Sequence, residues 1–498
     1  MTELIAALPI AFDPYTLWIL LLGVISGIAI GALPGLTATM GVTLLLPFTL
    51  GMGLSPQESF AMLIGIYVGA IYGGSIPAVL IATPGTPASA ATLLDAFPLT
   101  RQGEAGRVIV LLTLSCFAGG IVGALLLTFL SPQISRFALQ FSSPEYFALA
   151  VFGLSMIISL SGGDIWKGLA SGFFGLLIAT VGLDPITGTP RFTFGRIELY
   201  EGIGFIPVLI GLFAFAQVFS DIIETASERV KIPDFRVTMG NLREIVRHWG
   251  CTLRSSLLGS SIGALPGAGC DIAAFVGYNE AKRFSRHPER FGQGNPEGII
   301  GPEAAKSGAT GGALIPMMTL GVPGDAVTAV MLNGLIVQGL QPGPQLFRDH
   351  PDVIYPIFLF FFLAYIFMLV AGLSLARTIA RVVMVDRAIL LPIICVLSVI
   401  GAYAIRYSLF DVFVAIAFGA VGYAMRRFSI PASPIVLALI LGPMAESNLR
   451  RALILPEASV MMFFTRPISA VLLLLAIGSV VFGLWRQWSN RGAGHVNE

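Results

Sequence analysis

The sequence predicts an all-α polytopic membrane protein built from two inverted-topology repeats, with Pro-Gly-broken helices and re-entrant hairpin arms. Three observations predict it. Charged residues make up 11% of the chain and hydrophobic ones 55%, where a soluble domain carries about a quarter charged residues. Long apolar runs recur from end to end, as in a chain that crosses a bilayer many times. One set of motifs also occurs twice. Gly31-Ala-Leu-Pro-Gly35 is followed by Gly73-Gly-Ser-Ile-Pro77 and Thr83-Pro-Gly-Thr-Pro87; Gly263-Ala-Leu-Pro-Gly267 is followed by Gly311-Gly-Ala-Leu-Ile-Pro316 and Val322-Pro-Gly-Asp325. A Pro-Gly inside apolar sequence breaks a helix. Lipid tolerates the freed backbone groups only inside protein or beside a water-filled cavity. Matched breaks in two halves mark a transporter made of repeats, with its substrate site where the halves meet.

In chain order, apolar spans are expected at about 15–33, 36–52, 58–82, 105–130, 144–161, 165–183 and 203–222. The second half gives 250–266, 269–281, 304–321, 351–375, 388–405, 408–425, 431–446 and 467–486. Segments 86–98 and 325–340 follow the Pro-Gly breaks and are too short to cross; they read as half-helices or re-entrant arms. The organisation expected is a first transmembrane repeat over 1–223, a cytoplasmic linker over 224–249 and a second repeat over 250–498. Met1 to Asp13 holds no Lys or Arg, unlike the basic start of a signal peptide, so the first apolar run reads as a retained helix.

Positive charge sets the orientation. Arg229, Lys231, Arg236, Arg243, Arg247 and Arg254 place the 224–254 stretch in the cytoplasm, and Lys282, Arg283, Arg286 and Arg290 place theirs there too. Arg426, Arg427, Arg486 and Arg491 fit the same side. The N-terminus is then periplasmic and the C-terminus cytoplasmic. The first half crosses an odd number of times, which turns the second half upside down.

The breaks supply the candidate site. Each Gly-Ala-Leu-Pro-Gly run is either a close-packing helix turn or, as its repetition favours, half of a binding site whose backbone at Gly35, Gly267, Gly85, Pro323 and Gly324 faces the substrate. Thr37, Thr39 and Asp271 follow the first break of each half. Their oxygens, with freed carbonyls, suit a hard cation such as Na⁺. Thr83 and Thr86 open the Ala88–Phe97 segment, whose N–H groups attract a carboxylate. Thr86 also reads as a plain N-cap, and both readings can hold. Asp325 stands at the matching cap of the second half, as a cap residue or, being an intramembrane acid, as a ligand for the coupling cation. Lys306 is one of four lysines and stands in a Glu303-Ala-Ala-Lys306 turn before the Gly-rich helix. It reads as snorkelling to the interface, as paired with Asp325 or Asp271, or as touching substrate. Asp95, Arg101 and Arg107 read as interfacial. Ser75 reads as facing substrate.

Some classes are excluded. The formal net charge of +1 gives no sign of a nucleic-acid partner. No Gly-Lys dipeptide occurs, so the chain holds no Walker A motif and is not its own ATPase. Four scattered cysteines and four dispersed histidines show no metal or disulfide spacing. No HExxH or GxSxG motif occurs with a base partner, so the chain reads as no enzyme, and no cofactor is expected beyond a coupling ion.

Gly31-Ala-Leu-Pro-Gly35, Thr83-Pro-Gly-Thr-Pro-Ala-Ser-Ala-Ala-Thr92, Arg101-Gln-Gly-Glu-Ala-Gly106, Gly301-Pro-Glu-Ala-Ala305, Gly311-Gly-Ala-Leu-Ile-Pro316 and Thr319-Leu-Gly-Val-Pro-Gly324 together resemble the large membrane subunit of the tripartite tricarboxylate transporters. The resemblance covers nearly the whole chain. It implies a secondary transporter of the bacterial inner membrane, working with a small four-helix membrane subunit and a periplasmic solute-binding protein. It also implies tri-, di- or aromatic carboxylate substrates and uptake driven by a Na⁺ or H⁺ gradient. There are two departures from the family pattern: Lys306-Ser307 stand where paired asparagines are usual, and Asp325 stands where a small hydroxyl residue is usual. The alternative reading is a channel or pore-forming subunit without cation coupling, against which the absence of rings of like charge counts.

Overall fold

The computed structural model describes residues 2–33, 35–157, 164–184, 186–223, 242–267, 269–382, 385, 387–454 and 461–493. Pro34, Ala268 and most of the expected linker (224–241) lie outside them. The described residues are mostly helical, with one two-stranded antiparallel ribbon, Gly182–Leu183 against Pro190–Arg191.

Helices begin where the sequence supplies caps. Asp13 accepts the Thr16 N–H at 2.9 Å and opens α1 (Pro14–Ala32), with proline at its first position. Thr37 opens α2 (Ala38–Gly51), and Ser55 with Glu58 forms a capping box on α3 (Pro56–Gly73). The first half goes on with α4 (Ser75–Ile81), a 3₁₀ turn at Pro87–Ser89, α5 (Ala90–Arg101) and α6 (Ala105–Ala138), before the helices that follow Ala138. In the second half come α7 (Trp249–Gly263), α8 (Gly269–Phe284), α9 (Glu297–Leu320), α10 (Ala326–Val337) and α11 (Pro351–Ser374).

Among the described residues, six spans are long and apolar enough to cross a membrane: Pro14–Ala32, Pro56–Ile81, Ala105–Ala138, Phe205–Ile222, Pro351–Ser374 and Leu409–Arg427. Several expected spans are shorter as helices. Ala38–Gly51 and Ile165–Ala179 fall below the ~20 residues that a crossing needs. The expected 58–82 span is α3 and α4, joined at Gly74.

The chain forms two compact units, and each takes a segment from each half of the sequence. One comprises 1–135 and 217–405, the other 136–216 and 406–498. In the second unit, Ile178, Val208, Leu212, Val414, Phe418, Met425 and Ile435 build the core. A π-helical stretch at Ile210–Phe215 packs there against Leu409–Arg427. Its ribbon is pinned by Asp184, which accepts from Arg450 at 2.6 Å. Arg191 meets Glu446 at 2.6 Å. Backbone N–H groups of Thr187 and Ile186, then Arg450, hold the Asp184 carboxyl below its ordinary range.

The first unit holds both copies of the repeated motif, and its packing repeats with them. A Cβ on Gly27 or Gly31 would run into the carbonyls of Ile66 or Ala70; one on Gly259 or Gly263 would run into those of Ala305 or Ala309. In the other direction, Gly69 and Gly73 abut Val24 and Ile28, as Gly308 and Gly312 abut Ser256 and Ser260. So α1 lies on α3 as α7 lies on α9, backbone to backbone, at matching positions. Small residues let helices approach this closely without a hydrophobic drive between them.

Candidate functional site

The breaks also repeat. After α1 the chain turns at Gly35 (φ +94°), and after α7 at Gly267 (φ +81°); both are left-handed and suit glycine. The α4 and α9 helices each end on a left-handed residue, Ala82 (φ +57°) and Gly321 (φ +70°). The N–H of each reaches back to Pro77 or Pro316. Gly85 then lies against the Gly31 carbonyl as Gly324 lies against that of Gly263. The Gly85 N–H donates to the Gly74 carbonyl at 2.9 Å, and the Gly267 N–H to the Gly324 carbonyl at 2.8 Å. The first arm is thereby tied to the α3–α4 joint, and the second to the turn at Gly267.

Each half also sends one side chain to the arm of the other. Tyr67 and Lys306 hold matching positions, three residues before the close contacts at Ala70 and Ala309. The Tyr67 hydroxyl donates to Asp325 Oδ2 at 2.6 Å. Lys306 donates to Ser75 Oγ and, at 3.4 Å, to Ser89 Oγ, which lies 2.9 Å from Thr86 Oγ1.

This placement corrects the sequence reading of Lys306. It is fully buried, so it does not snorkel. It stands inside α9, and its ion-pair partner is Glu303 one turn earlier, at 2.9 Å. Asp325 is not that partner. The two do not pair because Asp325 is held at the α10 end: its Oδ1 accepts the Thr328 N–H and hydroxyl, each at 2.8 Å. Glu303 is satisfied all round. Its Oε1 accepts from Ser75 (2.7 Å) and Thr92, and its Oε2 from the Cys116 thiol at 2.8 Å.

Asp95, read as interfacial, is fully buried within the protein. Its Oδ1 accepts the N–H groups of Gly292 (2.9 Å), Gly294 (2.9 Å) and Asn295 (2.8 Å), and its Oδ2 accepts from Tyr278 at 2.9 Å. Arg107 is half-buried and held by Glu244 and Glu104, whereas Arg101 is exposed. The first-arm helix α5 is thus stapled to second-half residues at two levels, by Asp95 and by the Ser89–Lys306 and Thr92–Glu303 contacts.

The remaining candidates fall into place around these contacts. Thr37 caps α2 through the Met40 N–H at 3.2 Å. Thr39 lies buried in the first turn of α2, and Asp271, its counterpart four residues after the glycine turn, is exposed. Asp271 lies near Ala88 and Asp325. Thr83 and Pro87 are exposed, Thr86 is buried, and Pro323 and Gly324 are buried. Thr86 stands at the N-cap position of the 3₁₀ turn without a side-chain capping bond, and α5 starts only at Ala90. Ser75 is fully buried, with its hydroxyl spent on Glu303 and Lys306. Gly35 lies beside the Gln217 amide. Glu303, Tyr67, Ser89, Thr92 and Cys116 escaped the sequence reading of the site. Only Glu303 carried a local signal, its i,i+3 spacing to Lys306.

Chemically, the arrangement is a polar centre inside an apolar unit. It offers hydroxyls, one buried ion pair, two carboxylates and glycine backbone at the tips of two broken helices.

The model of the tripartite tricarboxylate transporter TctA family matches residues 17–437. An Agrobacterium vitis protein named "Uncharacterized 52.8 kDa protein in TAR-I ttuC' 3'region" is 37% identical over 488 residues, covering 97% of each chain. A second from the same organism, "Uncharacterized protein in TAR-II ttuC' 3'region", is 34% identical over 226 residues, 45% of this chain and 93% of its own. No solved structure matches.

Proposed function

Because the chain belongs to the tripartite tricarboxylate transporter TctA family, we propose that it is the large permease subunit of a binding-protein-dependent secondary transporter that imports organic carboxylates. The observation that carries this reading is the reciprocal contact between the halves. Tyr67 of one half holds the arm of the other at Asp325, and Lys306 holds the first arm at Ser89. Two broken helices tied to each other's halves around one polar centre form the kind of site that alternating access requires. Thr83, Thr86, Gly85, Pro323 and Gly324 would line the substrate's approach, with Asp325 and Asp271 taking the coupling Na⁺ or H⁺.

In this proposal the repeats are 1–223 and 250–498 and are inverted, as the charge pattern favours. The N-terminus faces the periplasm and the C-terminus the cytoplasm of a bacterial inner membrane. A periplasmic solute-binding protein delivers tri-, di- or aromatic carboxylates, and a small four-helix membrane subunit completes the complex. The cycle uses no ATP and involves no covalent chemistry.

Reconstitution tests it. The three subunits in proteoliposomes should take up substrate when a Na⁺ or H⁺ gradient is imposed, and internal substrate should stimulate exchange. Uptake that persists with the gradient collapsed and shows no exchange stimulation identifies a pore and refutes the reading.

A further inference from the structure

Lys306 ends among oxygens contributed by both halves. Its ammonium lies 2.9 Å from Glu303 Oε1, within hydrogen-bond reach of Ser75 Oγ, and 3.4 Å from Ser89 Oγ. Lys306, Glu303, Ser75 and Ser89 are each 0% exposed. Ser75 heads α4, and Ser89 ends the 3₁₀ turn that opens the first arm. The oxygens therefore converge where a broken helix resumes. A buried lysine requires a counter-charge, and Glu303 alone would meet that need. Hydroxyls from two further elements, Ser75 and Ser89, complete an acceptor for each of its three N–H groups. One carboxylate with hydroxyl oxygens beside a helix break is the donor set of a hard-cation site. An ammonium is a compact point charge that such a set accepts.

We propose that Lys306 is a built-in cation. Its tethered ammonium occupies a monovalent-cation site at the first arm, so this arm takes no Na⁺ from solution. The matching side chain at the second arm, Tyr67, brings a neutral hydroxyl to Asp325, leaving the charge of that arm to a mobile ion. Only this last consequence rests on the transport reading; the cage itself does not.

Lys306→Ala vacates the cage and keeps its oxygens. The probes are NaCl and KCl against choline chloride at equal ionic strength, read by thermal unfolding of the purified full-length chain in detergent. Lys306→Ala should melt below wild type in choline and recover saturably with Na⁺ or K⁺, by more than any shift that wild type shows. Glu303→Gln added to Lys306→Ala should abolish the extra shift. Lys306→Met, which fills the space with an apolar chain, should lack it. Should Lys306→Ala not survive in choline, the yield of monodisperse protein in each salt is the readout. Recovery with Na⁺ or K⁺ alone supports the built-in cation. Equal behaviour in all three salts overturns it, as does an equal response of Lys306→Met. The measurement uses no substrate, partner or gradient, so its failure leaves the transport reading standing.

Discussion

Asp95→Ala should destabilise the first-arm helix more than its distance from the motifs suggests. The carboxylate receives the N–H groups of Gly292, Gly294 and Asn295 and the Tyr278 hydroxyl. Those donors do not suffer equally when it goes. Gly292 is exposed and Gly294 half-buried, so water replaces much of what they lose; Asn295 and Tyr278 are buried and stay unpaired. At ~1–3 kcal/mol for each buried donor left unsatisfied and less for the wetter two, Asp95→Ala should cost about 3–4 kcal/mol. Asp95→Asn keeps one oxygen for the three backbone N–H groups, loses the charge and puts an N–H₂ donor opposite Tyr278, whose hydroxyl turns to accept, so about 1–2 kcal/mol is expected. Thermal unfolding in detergent should rank wild type above Asn above Ala. Chymotrypsin should cut near Phe291 fastest in the alanine variant, because the 292–295 turn loses its anchor. A melting temperature and cleavage rate equal to wild type in Asp95→Ala would refute the assignment of Asp95 as a staple between the halves.

Other outcomes follow from the same contacts. Glu303→Gln and Lys306→Met should each cost ~3–5 kcal/mol by stranding a buried charge, while the double variant recovers much of it; simple additivity in a thermal double-mutant cycle would show the pair to be uncoupled. Tyr67→Phe removes a hydrogen bond to a carboxylate worth ~1.5–3 kcal/mol, so it should express normally and lose uptake in proteoliposomes, whereas wild-type uptake would make the Asp325 contact dispensable. Gly31→Leu and Gly263→Leu should impair folding about equally, judged by monodisperse yield, since each drives a side chain into a neighbouring carbonyl. Gly51→Ala, with open space around it, should be tolerated.

The breaks were legible because they are local. Proline without an N–H and glycine at positive φ act through the backbone within a few residues, and the matching turns at Gly35 and Gly267 and at Ala82 and Gly321 follow from residues in view. Composition fixed the helical membrane class for the same reason. The Glu303–Lys306 pair was also within reach, as one helical turn separates the two.

What joins the halves was not legible. Tyr67 and Asp325 are 258 residues apart, and Asp95 meets its turn from 197 residues away. Sequence offers no periodicity to guide such pairings here, because lipid and protein core are both apolar and a membrane helix shows no polar face to mark its outside. Lys306 and Asp95 therefore read as interfacial, the place where charge is cheapest. The charge of a side chain is written in the sequence, but the dielectric around it is set by neighbours that only the folded chain assembles. The sequence determined where the helices break; the tertiary structure decided which buried oxygens each break would face.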